Sequence, residues 1–188
     1  MAQGPSLCRP RKTPPQALLQ LQPGRFSTAA PTSFCPTFIF VTEDGTISGW
    51  NGGQSAVLVV DNSDNGSRDG AVYKGATTAD INGKRFLYVT NFRKARVEVY
   101  NTNFTRVRLG DDAFEAEGVP DGFAPFNIQN IGGTLFVTYA KQNSARQDDV
   151  PGDGLGFVLY LHALGPAYWK PPTRPLDEFA LGCRMDSP

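Results

Sequence analysis

Apolar and polar residues alternate in short runs along this chain, and the runs return at a fixed interval. Phe38-Ile39-Phe40-Val41-Thr42, Phe86-Leu87-Tyr88-Val89-Thr90 and Leu135-Phe136-Val137-Thr138-Tyr139 are rich in β-branched and aromatic residues and have the length of strands. Their Val-Thr pairs lie 48 residues apart each time. A second apolar strand follows each one and ends on an aromatic residue: Ile47 to Trp50, Val97 to Tyr100, Phe157 to Tyr160. A period of this size, made of strands rather than helices, predicts an all-β fold built of β-propeller blades.

The middle repeat is the most complete. Val72 to Ile81 reads as its inner strand, closed by Asn82-Gly83, a two-residue hairpin signal because both positions tolerate positive φ. Phe86 to Thr90 follows, then Arg96 to Tyr100, where Val97 and Val99 alternate with Arg96 and Glu98. Thr105 to Leu109 reads as an outer edge strand whose arginines discourage edge pairing. The third repeat runs from Phe123 to Ile131, turns at Gly132-Gly133, continues from Leu135 to Ala140, and re-enters at Phe157 after a polar loop. The first keeps Phe38–Thr42, Thr46–Trp50 and Ala56–Val60 but lacks an inner strand upstream. The expectation is a partial β-propeller of two to three four-stranded blades, from a ring of about six. An ordinary β-sandwich is the alternative, with the spacing then coincidental.

Three regions follow. Residues 1–37 form a leader with seven prolines, four basic residues and no acidic one, expected to be disordered; residues 38–161 hold the partial propeller; residues 162–188 form an irregular tail with no strand period. The abrupt change after Leu161 suits either a shifted reading frame or a natural irregular tail. An open stack of blades exposes strand edges, which predicts self-association through them.

Charge narrows the function. Eighteen basic and eighteen acidic residues cancel, which gives no footprint for nucleic acid. No apolar run reaches the ~18 residues of a membrane helix, and no signal peptide is evident. Cys8, Cys35 and Cys183 are scattered and odd in number, so they suggest neither a disulfide framework nor a zinc site.

Tyr88-Val89-Thr90-Asn91 followed by Val97-Glu98-Val99-Tyr100 resembles the repeat of the surface-layer (YVTN and NHL-like) propellers. The longer strings from Phe38 to Asn51, Ala71 to Gly75 and Phe123 to Gly133 resemble a family of bacterial extracytoplasmic propeller proteins. The resemblance covers about Phe38 to Val158. It implies a propeller fold and an extracytoplasmic or secreted location, and it brings no established activity with it.

One loop has the chemistry of a metal site. Asp61, Ser63, Asn65, Ser67 and Asp69 fit a D-x-[DNS]-x-[DN]-G-x-x-D spacing, in which alternate oxygens wrap a calcium ion around a glycine turn. A solvated Asp/Asn/Gly/Ser turn is the default reading, and the twelfth position holds Val72 rather than glutamate. Asn127, Gln129 and Asn130 sit on a predicted inner strand. Alternation points Asn127 and Gln129 one way and Ile128 and Asn130 the other. They either bind a ligand at a central channel or satisfy backbone groups between blades.

Catalytic constellations are scarce. His162 is the single histidine, and Gly45 to Gly49 lacks the nucleophile-elbow spacing. Asn65-Gly66-Ser67 and Asn103-Phe104-Thr105 are glycosylation sequons, meaningful in a eukaryotic secreted context. The expected function is a non-enzymatic binding or interaction scaffold for a protein or small-molecule partner. The alternative is a remnant of a lactonase-like, metal-dependent propeller hydrolase with Glu43, Asp44 and Asp80 at its centre.

Overall fold

The structure, a computed structural model, describes residues 34–63, 69–108, 114 and 119–162. Most of the expected leader, the whole tail beyond His162, and Leu109 lie outside the described residues. The described residues contain no helix, and their strands form three antiparallel sheets. Sheet 1 holds β1 (Phe38–Val41), β2 (Thr46–Trp50) and β3 (Val57–Asp61). Sheet 2 holds β4 (Tyr73–Ile81), β5 (Lys84–Asn91), β6 (Arg96–Tyr100) and β7 (Arg106–Val107). Sheet 3 holds β8 (Phe123–Ile131), β9 (Thr134–Lys141) and β10 (Gly156–His162). In every sheet the order across is the order along the chain. The outer strand expected over Thr105 to Leu109 is paired only at Arg106 and Val107.

Local chemistry explains the strand ends. Asn82 and Gly83 have φ of 50° and 75°, so the hairpin between β4 and β5 is the primed turn whose twist matches its strands. Other turns close on an N–H three residues on, with that residue in the left-handed region: Gly45 to the carbonyl of Thr42, Ala95 to Phe92, Phe104 to Asn101, Arg146 to Asn143. Gly45 is needed twice over, because a Cβ there would also stand 2.8 Å from the carbonyl oxygens of both Asn62 and Ala71.

The repeated threonine has a specific task. The register between β4 and β5 shifts between Tyr73 and Gly75, and that between β8 and β9 shifts between Pro125 and Asn127. Just after each bulge the inner-strand N–H turns to the threonine hydroxyl: Gly75 N–H to Thr90 Oγ1 at 2.8 Å, Asn127 N–H to Thr138 Oγ1 at 3.0 Å. The hydroxyl thus satisfies a donor that the bulge takes out of the ladder.

Sheet 2 lies between the other two. Its backward face (Tyr73, Leu87, Val89, Tyr100) packs on Ile39, Val41, Ile47 and Val60 of sheet 1. Its forward face (Ala79, Ile81, Tyr88, Val97, Val99) packs on Ile128, Leu135, Val137, Tyr139 and Leu159 of sheet 3. Val89 and Val137 therefore both point backward, whereas Val41 points forward. The first Val-Thr pair is out of step by one residue, and a one-residue slip turns every side chain to the opposite face. The turn shows the same offset, since Thr42 hydrogen-bonds Thr46 across it where Asn91 pairs with Arg96. Thr42 accordingly stands in the place of Asn91, not Thr90. Its hydroxyl serves the turn, lying 2.8 Å from that of Thr46.

Packing starts ahead of β1. Thr37 N–H donates to the Trp50 carbonyl, and Phe34 and Pro36 cover Gly49, where a Cβ would lie 2.6 and 2.8 Å from them. Cys35 is a free thiol.

Candidate functional site

Residues 61–63 and 69–71, the described ends of the β3–β4 connection, line a cleft of about 400 Å³ together with the turn between β5 and β6. Its floor is Glu98, and its walls include Asp61, Asn62, Asp69, Lys94, Arg96 and Arg106. Alternation in β6 is as expected, but the charged face is not a solvent face. Glu98 is only 2 % exposed, because Tyr73 and Tyr100, which pack on sheet 1, and the Arg96 guanidinium close over its carboxylate.

Such a carboxylate survives burial only if it is fully partnered. Oε1 accepts from Asn91 Nδ2 (3.0 Å), Arg96 Nε (2.9 Å) and Arg96 Nη2 (2.7 Å). Oε2 accepts from the Tyr73 hydroxyl (3.0 Å) and the Tyr100 hydroxyl (2.9 Å). Arg106 Nη1 adds its charge 3.7 Å from Oε1. Asn62 Nδ2 closes the network by donating to both tyrosine oxygens, at 2.7 and 3.0 Å.

These contacts set the titration. Burial pushes the Glu98 carboxyl up, but hydrogen bonds from Arg96, Tyr100 and Asn91 and the charge of Arg106 outweigh it, and the group ends below its ordinary value. Burial, with the charge of Glu98, pushes Tyr73 up to about 12. Tyr100 is pushed up further, by burial and then by Tyr73 and Glu98. A carboxylate has about four lone-pair sites, and five donors already converge on this one. Glu98 is therefore spoken for as a structural acceptor and is not a free general base.

A second polar cluster lies at the same end of sheet 2. Lys74 Nζ, on a side chain only 8 % exposed, donates to Glu43 Oε1 at 2.6 Å and to Asp148 Oδ1 at 3.4 Å. It also sits 5.9 Å and 5.8 Å from the ring centroids of Phe92 and Phe126, within cation–π range. One ammonium thus ties the β1–β2 turn to the loop after β9.

The residues singled out from sequence distribute as follows. Asp61, Ser63 and Asp69 reach the cleft, whereas Asn65 and Ser67 lie outside the described residues. Asp61 Oδ1 accepts both the N–H (3.0 Å) and the hydroxyl (2.5 Å) of Ser63, which holds its carboxyl below the usual value. That is an Asx turn, and it occupies one of the oxygens that calcium would use. Among the described residues no group of three or more His, Cys, Asp or Glu side chains is placed to hold a metal ion.

Gln129 points forward and is exposed. Asn127 is exposed but turns its Oδ1 back towards Gly75 of sheet 2, where it accepts from Ile128 N–H (2.8 Å). Ile128 is buried and Asn130 half-buried towards sheet 2. Asn130 meets a need between sheets: its N–H donates to Thr77 Oγ1 (3.1 Å), its Nδ2 to the Thr78 carbonyl (2.9 Å), and its Oδ1 accepts from Gly133 (2.9 Å). Glu43 and Asp44 lie at the β1–β2 turn, and Asp44 is held below its usual value by the Thr42 hydroxyl. Asp80 lies at the opposite end of β4, six residues or about 20 Å from Lys74, and pairs with Arg85 through both oxygens. The structure does not bring these three carboxylates together.

The Glu98–Tyr73–Tyr100 network and Lys74 were not anticipated. The signal for the first was available: Arg96, Glu98 and Tyr100 share one face of a strand in the middle of three repeats, where both faces must be covered. Among the described residues no helix is long and apolar enough to cross a membrane.

Comparison with known proteins gives two related sequences. Over 160 residues the chain is 32% identical to "Uncharacterized protein R640" of Acanthamoeba polyphaga mimivirus, covering 81% of this chain and 27% of that protein. Over 92 residues it is 29% identical to "Uncharacterized protein R648" of the same virus, covering 46% of this chain and 22% of that protein. The chain spans about a quarter of the length of these relatives. No protein-family model matches, and no solved structure matches.

Proposed function

We propose that the three sheets are consecutive blades of a β-propeller and that the chain acts as a binding scaffold rather than by turnover. The carrying observation is the stacking of sheet 2, whose opposite faces meet the sheets before and after it in chain order. The bulge-and-threonine device, placed alike in sheets 2 and 3, supports a repeated unit. Contacts between those sheets run through the inner strand β8, which touches β4, β5 and β6. The polar groups at the sheet boundaries are engaged with one another, which is the chemistry of a scaffold. Glu98 is saturated, Asp80 is held by Arg85, and Glu43 by Lys74.

The test of the blade arrangement is a cysteine pair, Thr77→Cys with Asn130→Cys. Oxidation is expected to form an intramolecular disulfide without lowering the melting temperature. A chain that stays β by circular dichroism yet does not cross-link would overturn it. The scaffold half would be overturned if the purified chain hydrolysed lactones or esters in a divalent-metal-dependent manner.

A further inference from the structure

The turn between β6 and β7 is closed by one asparagine, while a second, two residues on, takes almost no part in it. Asn101 does the closing. Its carbonyl accepts from Phe104 N–H (2.9 Å), and its own N–H donates to the Thr105 carbonyl (3.0 Å). Its Oδ1 accepts from the N–H groups of both Asn103 (2.9 Å) and Thr105 (3.0 Å). Such side-chain bonds are what an asparagine in a turn normally supplies. Asn103 gives the turn its backbone N–H and nothing from its side chain. Among the described residues the Asn103 amide group has no hydrogen-bond partner, and neither has the Thr105 hydroxyl. Both residues are exposed.

Phe104, between them, faces the other way. It is 7 % exposed, in the core beside Tyr100, and its φ of 57° turns the ring inward while Asn103 and Thr105 stay in solvent. The buried ring anchors the turn, so the two outward side chains are held by a fold they do not support. Asn103-Phe104-Thr105 is also an Asn-x-Thr triplet with no proline in the middle, the acceptor sequence for an N-linked glycan. Spacing alone does not tell whether such an amide is already used by the fold, and here it is not. The position suits a bulky group as well. The side-chain ties of sheet 2 run through Tyr73 and Tyr100 towards sheet 1 and through Thr77 and Thr90 towards sheet 3. Among the described residues none runs through Asn103 or Thr105.

We propose that Asn103 is an acceptor site for an N-linked glycan, and that the folded chain carries the sugar there without strain at either boundary of sheet 2. The donor is a lipid-pyrophosphate-linked oligosaccharide, presented with its transferase in the lumen of a eukaryotic secretory route. Asn103 Nδ2 bonds to the anomeric carbon as the bond from that carbon to the pyrophosphate oxygen breaks. One amide proton is lost to a base, and the lipid pyrophosphate leaves with the electron pair. The Thr105 hydroxyl, two residues on, is the group by which the transferase recognises the triplet. Nothing in this chemistry depends on how the three sheets close, so it stands apart from the propeller reading.

The experiment is secretion of the full chain from cultured insect cells behind an added signal peptide. Peptides from the medium and from the cell membranes are mapped before and after enzymatic removal of N-glycans, so a chain retained in the cell is tested too. Most molecules are expected to carry sugar on Asn103 and to show aspartate there after removal. Asn103→Gln and Thr105→Val are each expected to lose that glycan completely. Thr105→Ser keeps the hydroxyl and is expected to retain it at lower occupancy. All three variants change exposed side chains with no bond to the fold, so unchanged circular dichroism confirms folding. A wild-type chain bare at Asn103 would overturn the acceptor site, even with sugar on Asn65. The glycosylated chain is expected to melt no lower than Asn103→Gln. A clear drop in its melting temperature, restored by removing the sugar, would overturn the claim that the fold leaves this position free.

Discussion

The two boundaries of sheet 2 solve the same problem with different chemistry. Towards sheet 1, Ile47 and its neighbours pack against a wall that includes Tyr73, Tyr100 and the buried Glu98. Its polar atoms are satisfied almost wholly by side chains: two tyrosines, two asparagines and Arg96 around one carboxylate. Towards sheet 3 the core is apolar, and the polar ties go to backbone. Thr90 Oγ1 donates to the Phe126 carbonyl (2.9 Å), Asn130 to the Thr78 carbonyl, and Gln142 Nε2 to the Phe92 carbonyl. A side-chain network is charge-dependent and sensitive to each member. A boundary of apolar packing and backbone ties depends on how closely two strands approach.

The largest effect expected from that contrast is at Glu98. Glu98→Ala leaves two buried tyrosine hydroxyls and the Asn91 amide without their acceptor, while the exposed Arg96 returns to water, and is expected to cost about 1–3 kcal/mol, the usual penalty for unsatisfied buried polar groups. A urea midpoint that moves by less than a quarter of that would show that the network contributes little. The pH dependence sharpens the same point. The Glu98 carboxyl is depressed below its ordinary value of 4.5, so its stabilisation is present above about pH 4.5 and is lost as pH falls through the lower folded value. Tyr73, Tyr88 and Tyr139 are all raised from 10.0 to about 12 by burial, so their contribution is intact below pH 10 and is lost as pH rises toward 12. Tyr73 belongs to the first boundary and the other two to the second. Acid should therefore loosen the sheet 1 side selectively, while alkali acts on both. Urea midpoints measured across pH for wild type and Glu98→Gln test this, and an unchanged acid limb in the variant would contradict it.

Next comes the approach of β4 to β8. A Cβ on Gly75 would lie 2.3 Å from Asn127 Oδ1 and 2.9 Å from Asn127 Cα, and the second of these is backbone that cannot swing away. Gly75→Ala is expected to destabilise by about 1–3 kcal/mol through overpacking. Cross-linking of the Thr77→Cys and Asn130→Cys pair should slow in the same background, whereas Glu98→Ala should leave it alone. The smallest of the set is Thr90→Val, which removes the acceptor for Gly75 N–H and the donor to Phe126 at a cost of about 1–2 kcal/mol, since the buried N–H is left unpaired. Thr138→Val should cost less, because Thr138 is half exposed and water can replace it. Equal midpoints for the two variants would argue against a role tied to burial.

How much of this the residues announced can be judged element by element. β4, β5, β6, β8 and β9 lie within two residues of where alternation, Asn82-Gly83 and Gly132-Gly133 place them. Those signals are local, and period-two patterning expresses them directly. The face presented by β1 was not legible, because Val41-Thr42 imitates the other pairs at the same spacing and the offset appears only in the hairpin pairing with β2. The burial of Glu98 was not legible for a related reason. A charged residue alternating with valine looks solvated until a second sheet is known to cover it. Two of the candidate calcium loop's five residues, Asn65 and Ser67, lie outside the described residues, while the opposite faces of Gln129 and Asn130 follow directly from alternation, and Asn130 serves the sheet boundary.

The turns carry one consequence for anyone wishing to change this protein. Ala95, Phe104 and Arg146 each adopt φ between 50° and 57° without being glycine. A side chain there carries a left-handed penalty of about 1 kcal/mol. Phe104 offsets it by lying in the core beside Tyr100, but Ala95 and Arg146 stand in solvent. Those two positions are a reserve of thermal tolerance: Ala95→Gly and Arg146→Gly together should raise the melting temperature by a few degrees. They would do so without touching either boundary of sheet 2.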